Sequence, residues 1–129
     1  MSIFNFLRPF VSEYYFEKQK LSLKYGVNRF LSLVRNYDHH LHDLRQVEFF
    51  FYSKTIGNAT DLKNDLIELG YEVYGIASSS NNEYSIIGVT NPISIRDKDF
   101  MQWTEKMNEI GFINDCRFDG WGMLTSFDK

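Results

Sequence analysis

The order in which strand-like and helix-like segments alternate after residue 44 constrains the fold more than any other feature of the sequence. Residues 46–53 are dense in aromatic side chains, which is typical of a strand. Apolar residues then recur at helical spacing from Ala59 to Leu69, and Gly70 stands where a helix C-cap is expected. These segments predict one strand followed by one amphipathic helix.

The rest of this region predicts two more strands, a second helix and a final strand. Residues 71–77 and 83–90 predict a hairpin across a polar turn, and apolar residues from Phe100 to Ile110 follow a helical stripe. Residues 115–122 predict the last strand. The order β-α-β-β-α-β is that of the ferredoxin-like fold. We therefore expect an α+β domain with a four-stranded antiparallel sheet and both helices on one face.

A helical extension precedes this domain. In residues 1–44 apolar side chains recur at mixed three- and four-residue spacings, Ser12 fits an N-cap, and Gly26 interrupts the pattern. The segment has too many large apolar residues to stay solvated. The chain is therefore expected to consist of a helical extension, residues 1–44, and a ferredoxin-like domain, residues 45–129.

The open face of the predicted sheet offers a surface for the extension. Strand alternation turns Phe50 and Tyr52 away from the helices and places Tyr74 and Ile76 on the same side. A monomer rarely leaves an apolar patch of this size exposed. We expect the extension to pack on this face, which is otherwise an interface. A dimer helix is an alternative, and the low cation content argues against a membrane-surface helix.

Charge is distributed unevenly along the chain, whose formal net charge is −3 over 129 residues. Residues 1–44 hold six Lys and Arg against four Asp and Glu, whereas residues 45–129 hold eight against thirteen. A nucleic-acid-binding domain would cluster cations on one face, so we expect no direct nucleic-acid binding. An acidic domain suits a basic protein partner better.

Composition indicates one globular domain in a reducing compartment. The sequence is 43% hydrophobic and 17% aromatic, which suffices for one packed core. The single Cys116 excludes an intramolecular disulfide. The N-terminal apolar stretch is broken by polar residues and lacks the continuous core of a signal peptide, and no run approaches a membrane span. We expect a soluble, cytoplasmic protein with no membrane partner.

A histidine-rich segment at residues 38–43 invites a metal-site interpretation. Neighbouring histidines point in different directions on either a helix or a strand, and no second cluster supplies further ligands. A polar linker is therefore the favoured interpretation. Whether His39, His40 and His42 bind a metal stays open at this stage.

The sequence contains no motif that indicates catalysis. The sequence has no phosphate-cradling glycine loop and no nucleophile elbow. A catalytic Cys116 would need one of the distant histidines as its base, so a structural cysteine is favoured. The carboxylate pairs Asp97/Asp99 and Asp61/Asp65 have no evident apolar pocket that would prepare them for acid–base work. We expect no enzyme and no cofactor.

The aromatic residues of the strands suggest one nucleic-acid alternative. RNA-binding ferredoxin-like domains stack bases on aromatic side chains of the open face, and Phe50, Tyr52, Tyr74 and Tyr84 imitate that arrangement. These aromatics are interleaved with acids, and the glycine-rich aromatic strand motif of such domains is missing. The alternative is therefore disfavoured.

The segment Phe118-Asp119-Gly120-Trp121-Gly122 is the least generic stretch of the chain. Its glycines tolerate positive φ or a close backbone approach, and its tryptophan buries a large apolar surface. Two interpretations follow, a terminal strand with a bulge whose Trp plugs the core, or a binding loop.

The chain from about Val47 to Gly122 resembles the RraB-like family, regulators of the endoribonuclease ribonuclease E. The resemblance rests on the aromatic strand Glu48–Tyr52, the helix exit Leu69–Val73, and the segment Phe118–Gly122. The last of these is similar to the family's Tyr-Asp-Gly-Trp-Gly signature. Its signature residues here are Asp119, Gly120, Trp121 and Gly122. The resemblance implies the ferredoxin-like fold.

The resemblance also implies a function. Family members are protein inhibitors that bind the non-catalytic, Arg-rich region of the ribonuclease and shift which transcripts are degraded. It therefore implies a non-enzymatic, protein-binding regulator in a bacterial cytoplasm, with a basic ribonuclease region as partner. The partner's identity and the oligomeric state are left open.

The acidic residues predicted on the two helices are the candidate contacts for such a partner. Exposed ion pairs add little affinity, but they raise the association rate. The candidates are Asp61, Asp65, Glu68, Glu105 and Glu109. An immunity-type protein that neutralises a toxin is an alternative, because it also blocks a basic enzyme with a small acidic body. An RraB-like domain with another role is a further one.

Overall fold

The computed structural model describes residues 9–37 and 44–123. Within these ranges the chain forms three helices and six strands. The helices are α1 (Glu13–Tyr37), α2 (Ile56–Glu68) and α3 (Asp97–Ile113). The strands are β1 (Leu44–Arg45), β2 (Val47–Ser53), β3 (Glu72–Ser79), β4 (Glu83–Val89), β5 (Ile93–Ser94) and β6 (Cys116–Met123). A single turn of 3₁₀ helix, Ser80–Asn82, joins β3 to β4.

The strand order confirms the ferredoxin-like prediction. The main sheet has the order β3-β4-β2-β6, and each neighbouring pair is antiparallel. The helices α2 and α3 connect β2 to β3 and β4 to β6, which is the split β-α-β arrangement. The short strands β1 and β5 form a separate antiparallel ribbon that the sequence patterns did not predict.

Local capping explains where the helices begin and end. Ser12 caps α1, since its Oγ accepts a hydrogen bond from the Tyr15 N–H at 3.1 Å. Thr55 caps α2 in the same way, with its Oγ1 accepting from the Asn58 N–H. At the other end of α2, Gly70 adopts φ +89, and the N–H of Tyr71 reaches back to the Leu66 carbonyl. This Schellman-type exit confirms the C-cap that Gly70 predicted.

The core lies between the sheet and the helices and is strongly aromatic. Phe49 and Phe51 of β2 are fully buried, and so is Phe100 of α3. The Phe51 and Phe118 rings lie 5.0 Å apart between their centroids. Further buried side chains complete this core: Leu62, Leu66, Ile86, Met107 and Cys116. Burial of this much apolar surface is the main stabilising term of the domain.

The helix α1 lies beside α3 in the helical layer. The rings of Phe16 and Phe112 stack with centroids 4.3 Å apart, and Phe30 approaches Phe100 at 5.7 Å, so the two helices run antiparallel. Phe30 also meets Trp121 at 4.8 Å. The helix α1 therefore lies in the helical layer, away from the open face on which the extension was expected. The physical reason is that α3 and β6 offer its apolar side chains aromatic partners. The domain boundary at residue 44 stays a prediction.

The sheet face opposite the helices is called the outer face below. The cross-strand pairs Phe50↔Ile87 and Tyr52↔Ser85 lie on it. Tyr84 pairs with the fully buried Ser53 and packs against the core, so it lies on the helix side. The four aromatic residues of the disfavoured RNA-binding alternative therefore do not share one face.

A bulge in β3 explains a second difference from the predicted alternation. The pairing of β3 with β4 shifts register between Val73 and Gly75, which leaves Tyr74 unpaired. Ile76 then pairs with the buried Ile86 and packs on the helix side, whereas Tyr74 is 56% exposed. One extra residue in a strand moves every later side chain to the other face, so the outer position expected for Ile76 is wrong.

None of the three described helices has the length and the hydropathy that crossing a membrane would need.

Candidate protein-binding surfaces

The signature segment Asp119–Gly122 lies within β6, an edge strand of the sheet. Phe118 pairs with Phe51 and Gly120 pairs with Phe50, so Asp119 is left out of the ladder. Gly120 adopts φ +118, a conformation that side-chain-bearing residues rarely reach. The bulge predicted from the glycines is therefore present, and it restores the alternation so that the next residue again faces the helices.

Trp121 uses that restored position to pack between two helices. It pairs with Phe49 of β2 and lies half-buried, with its ring edge-on to Phe30 of α1 at 4.8 Å and to Phe100 of α3 at 4.9 Å. Edge-to-face contacts of this kind add to the energy of area burial. The geometry favours the core-plug interpretation of the signature tryptophan over the binding loop.

Asp119 belongs to a charged cluster on the outer face. Its Oδ1 lies 3.8 Å from Nε of Arg117, whose Nη2 donates to Glu83 Oε1 at 3.2 Å. The Arg117 guanidinium also lies 5.1 Å from the Tyr52 ring centroid and 5.3 Å from that of Phe10. Asp119 therefore helps to orient an arginine.

The chain that leads into α1 is tied to the start of β6 by Asp115. Its two carboxylate oxygens accept hydrogen bonds from the backbone N–H groups of Phe10 and Val11, at 3.0 and 2.8 Å. Asp115 adopts φ +54, which aspartate tolerates better than most residues. A carboxylate that accepts two amide hydrogen bonds is a strong anchor. The sequence pattern missed this contact, because the partners are more than one hundred residues apart.

Three of the predicted contact acids share one stripe of α2. Asp61, Asp65 and Glu68 are exposed and follow at spacings of four and three residues. The Oδ2 of Asp65 accepts a hydrogen bond from Asn114 Nδ2 at 2.9 Å, which ties α2 to the end of α3. The structure therefore assembles these three acids on one surface, as the sequence predicted, although their role in binding is not thereby tested.

The other two acids lie on α3. Glu105 and Glu109 are exposed and one helical turn apart. Within residues 9–37 and 44–123, none of the five acids forms an ion pair. The two helices also carry Lys63, Lys98 and Lys106, so the surface is acidic overall without being uniformly so.

A shallow depression of about 330 Å³ opens where the start of α1 meets α2 and the end of α3. Its lining includes Glu13 and Asp61 along with Asp115, whose carboxylate already binds two backbone amides. The remaining lining is apolar or amide: Pro9, Val11, Asn58, Phe112, Ile113 and Asn114. Among the described residues that line it there is no histidine, lysine or cysteine.

Cys116 has the properties of a structural residue. It is 1% exposed, and its Sγ lies 3.6 Å from the Asn58 carbonyl oxygen. Burial raises the pKa of the thiol to about 12, a hydrogen bond with Ser53 lowers it, and the nearby Asp115 and Asp61 raise it. The thiol therefore stays protonated at neutral pH, whereas a nucleophilic cysteine needs the thiolate.

The structure bears on the metal question only outside the histidine segment. Among the described residues, no three His, Cys, Asp or Glu side chains gather closely enough to hold a metal ion. His39, His40 and His42 lie outside the described residues.

Comparison with protein families decides the affiliation. The profile of the family RraB, described as Regulator of ribonuclease activity B, matches residues 30–123. The chain belongs to this family. The match begins inside α1 and runs through the whole ferredoxin-like sheet to the end of β6, so it includes the signature segment. The family's description is that of a regulator of ribonuclease activity.

Other comparisons do not change this assignment. No curated protein matches the chain. An ACT domain protein from Streptococcus pneumoniae is similar in structure, with a TM-score of 0.49 and 12% sequence identity over 67% of this chain and 97% of that chain. The strand order itself carries the fold assignment, and the RraB profile carries the family assignment.

Proposed function

We propose that this RraB-family chain is a non-enzymatic regulator that binds a ribonuclease in the bacterial cytoplasm and modulates its activity. The observation that carries the proposal is the family match over residues 30–123, which spans nearly the whole described domain. The buried, protonated thiol of Cys116 is consistent with regulation by binding rather than by catalysis.

The acidic surface of α2 and α3 is the proposed contact for a basic region of that ribonuclease. Its five exposed acids are free of ion pairs within the described chain, so a partner's Lys and Arg side chains would meet them without first breaking internal pairs. Such exposed pairs are each worth about 0–1 kcal/mol, and their combined field raises the association rate. The five are Asp61, Asp65, Glu68, Glu105 and Glu109.

The test is affinity purification of the full chain from bacterial lysate at low and at high salt, followed by binding kinetics with the captured ribonuclease. A variant with all five acids changed to their amides should bind at least about tenfold more weakly, mainly through a lower association rate. A matched control changes Glu17 and Asp119 to amides, since both acids lie outside this surface. The ribonuclease's cleavage rate is then measured with each variant.

Three results would contradict the proposal. Salt-insensitive binding, or an unchanged association rate in the five-acid variant, would show that the acids are not the contact. Capture of no ribonuclease at any salt concentration would show that the regulatory function itself is wrong.

A further inference from the structure

The two edge strands of the main sheet, β6 and β3, differ in how far other parts of the chain cover them. Along β6, Gln19 of α1 donates its Nε2–H to the Phe118 carbonyl at 2.9 Å, and Asp115 holds the incoming chain at the strand's start. In the part of the chain that the structure describes, no element pairs with the other side of β3. An edge strand presents a row of unpaired N–H and C=O groups, which is a template for an added strand.

A depression lies along that edge and is called the β3 groove. It has a volume of about 320 Å³ and is lined by Tyr74, Gly75, Ile76, Ala77, Ser85 and Ile87. The lining is mostly apolar, and a Cβ added at Gly75 would meet no atom within 4 Å. The groove therefore has room for an apolar side chain of an added strand.

Two carboxylates flank the groove. Glu48 and Glu72 both pair with Val89 of β4, so they lie in one cross-strand row on the outer face. Burial, followed by the charges of Glu48 and Glu72, raises the pKa of Tyr74. Neither carboxylate forms an ion pair within the described residues. The row therefore lacks a cation.

The bulge at Tyr74 limits how far an added strand would pair. Pairing with β4 is regular from Gly75 to Ser79 and shifts just before it. A bulge protects an edge against indiscriminate pairing, so the available template is about five residues long. Tyr74 is 56% exposed and lies along β3 between Glu72 and this template, so a cation held by the carboxylates would have an aromatic ring nearby.

We propose that the β3 edge and the β3 groove bind an extended basic segment of a partner protein by strand addition. The partner's backbone pairs with Gly75–Ser79, one apolar side chain enters the groove, and a Lys or Arg reaches Glu48 and Glu72 across Tyr74. The inference deepens the proposed function and rests on it for the existence of a protein partner. It names a second contact, on the side of the molecule opposite the acidic helices.

Charge favours a basic partner over a second copy of this chain. The strand β3 has no cation between Glu72 and Ser79, so a second copy paired there would leave Glu48 and Glu72 without opposite charges. A segment with alternating apolar and basic residues supplies both the apolar side chain and the cation, since alternate residues of a strand face the same side.

The test is an NMR titration of the ¹⁵N-labelled full chain with an eight-residue peptide of alternating Lys and Val, blocked at both ends. We expect saturable shifts of the Gly75–Ser79 amides that weaken with salt. The control peptides alternate Glu with Val, which removes the cations, or Lys with Pro, which removes half of the backbone donors.

Variants of the full chain test the two side-chain parts of the proposed contact, the carboxylates and the groove. The double change Glu48→Gln and Glu72→Gln should weaken peptide binding by about tenfold, whereas Glu13→Gln and Glu17→Gln, which change two exposed acids of α1, should leave it unchanged. Ala77→Leu should weaken it because the new side chain occupies the groove. Unchanged thermal melting of each variant excludes unfolding as the cause.

Two results would overturn the inference, and a third would separate it from the proposed function. Chemical-shift changes confined to α2 and α3 would show that the peptide binds only the acidic helices. Slow hydrogen exchange of the outward-facing β3 amides in the free protein would show that this edge is already covered. Protection that rises with protein concentration would identify a second copy as the cover, and protection independent of concentration would identify the chain itself. Failure to capture a ribonuclease while the peptide still binds β3 would refute the proposed function and leave this surface standing.

Discussion

The strands β3 and β6 are both edges of one sheet, yet they have opposite roles in the molecule. The strand β6 sends Phe118 and Trp121 into the core and carries Arg117, which bonds to Glu83 on the outer face. The strand β3 contains Gly75 and the small residues Ala77, Ser78 and Ser79, and much of it is exposed. Both strands are edge strands, but β6 contributes side chains to the core, whereas β3 leaves an unpaired edge exposed.

The difference indicates which edge of the sheet contributes more to the stability of this chain. The long helix α1 does not belong to the β-α-β-β-α-β unit. It packs beside β6, where Gln19 and Phe30 contact that strand. Among the described elements, no strand pairs with the free edge of β3. Changes at the core-facing residues of β6 should therefore lower the free energy of unfolding, whereas a change at the exposed Tyr74 of β3 should leave it almost unaltered.

The largest effect is expected from Trp121→Ala. The change removes a half-buried ring that contacts Phe30 and Phe100, and we expect a loss of about 2–4 kcal/mol, somewhat less than for a fully buried tryptophan. The matched control on the other edge is Tyr74→Ala, which should change stability by less than about 0.5 kcal/mol. Urea denaturation of both variants gives the comparison.

A different outcome would reassign the signature segment. If Trp121→Ala melts like the parent chain but no longer binds its partner, the tryptophan is a contact residue rather than a core residue. Equal losses for Trp121→Ala and Tyr74→Ala would show that the two edges do not differ in stability.

The second expected effect concerns Asp115→Ala, which releases the chain that precedes α1. The change removes two charge-assisted hydrogen bonds, to Phe10 and Val11, and places alanine at φ +54. We expect a loss of about 1.5–3 kcal/mol. Asp119→Ala is the control, because its ion pair with Arg117 is long and partly solvent-exposed. Faster amide exchange at residues 10 and 11 should accompany the loss, and an unchanged exchange rate would contradict it.

Local signals predicted the parts of this fold that local chemistry determines. Gly70 ends α2, Ser12 begins α1, and the glycines of β6 mark its bulge, because each acts on backbone atoms a few residues away. The strand order followed from these elements, since few topologies connect them. The positions of the five helix acids followed equally from helical periodicity.

Contacts between distant segments were not predictable in the same way. Nothing near Asp115 in sequence indicates that it binds residues 10 and 11. The choice of α1 between the outer face and the helical layer depends on aromatic partners that only the folded domain brings together. The β3 bulge had one local signal, Gly75 with φ +148, but strict alternation was assumed through it and Ile76 was placed on the wrong face.

The smallest effect should come from Gln19→Ala, which uncovers the β6 edge without touching the core. The side-chain amide of Gln19 donates to the Phe118 carbonyl at 2.9 Å across a partly buried contact, so its loss should cost about 0.5–1.5 kcal/mol. Gln102→Ala is the control, because Gln102 is an exposed residue of α3. If Gln19 is what distinguishes β6 from β3, the variant should also begin to bind the alternating Lys and Val peptide at β6, visible as new shifts from residue 118 onward. Shifts that stay confined to β3 would show instead that the bulge and the packing of α1 are enough to close the β6 edge, and the difference between the two edges would then lie in their shape rather than in one hydrogen bond.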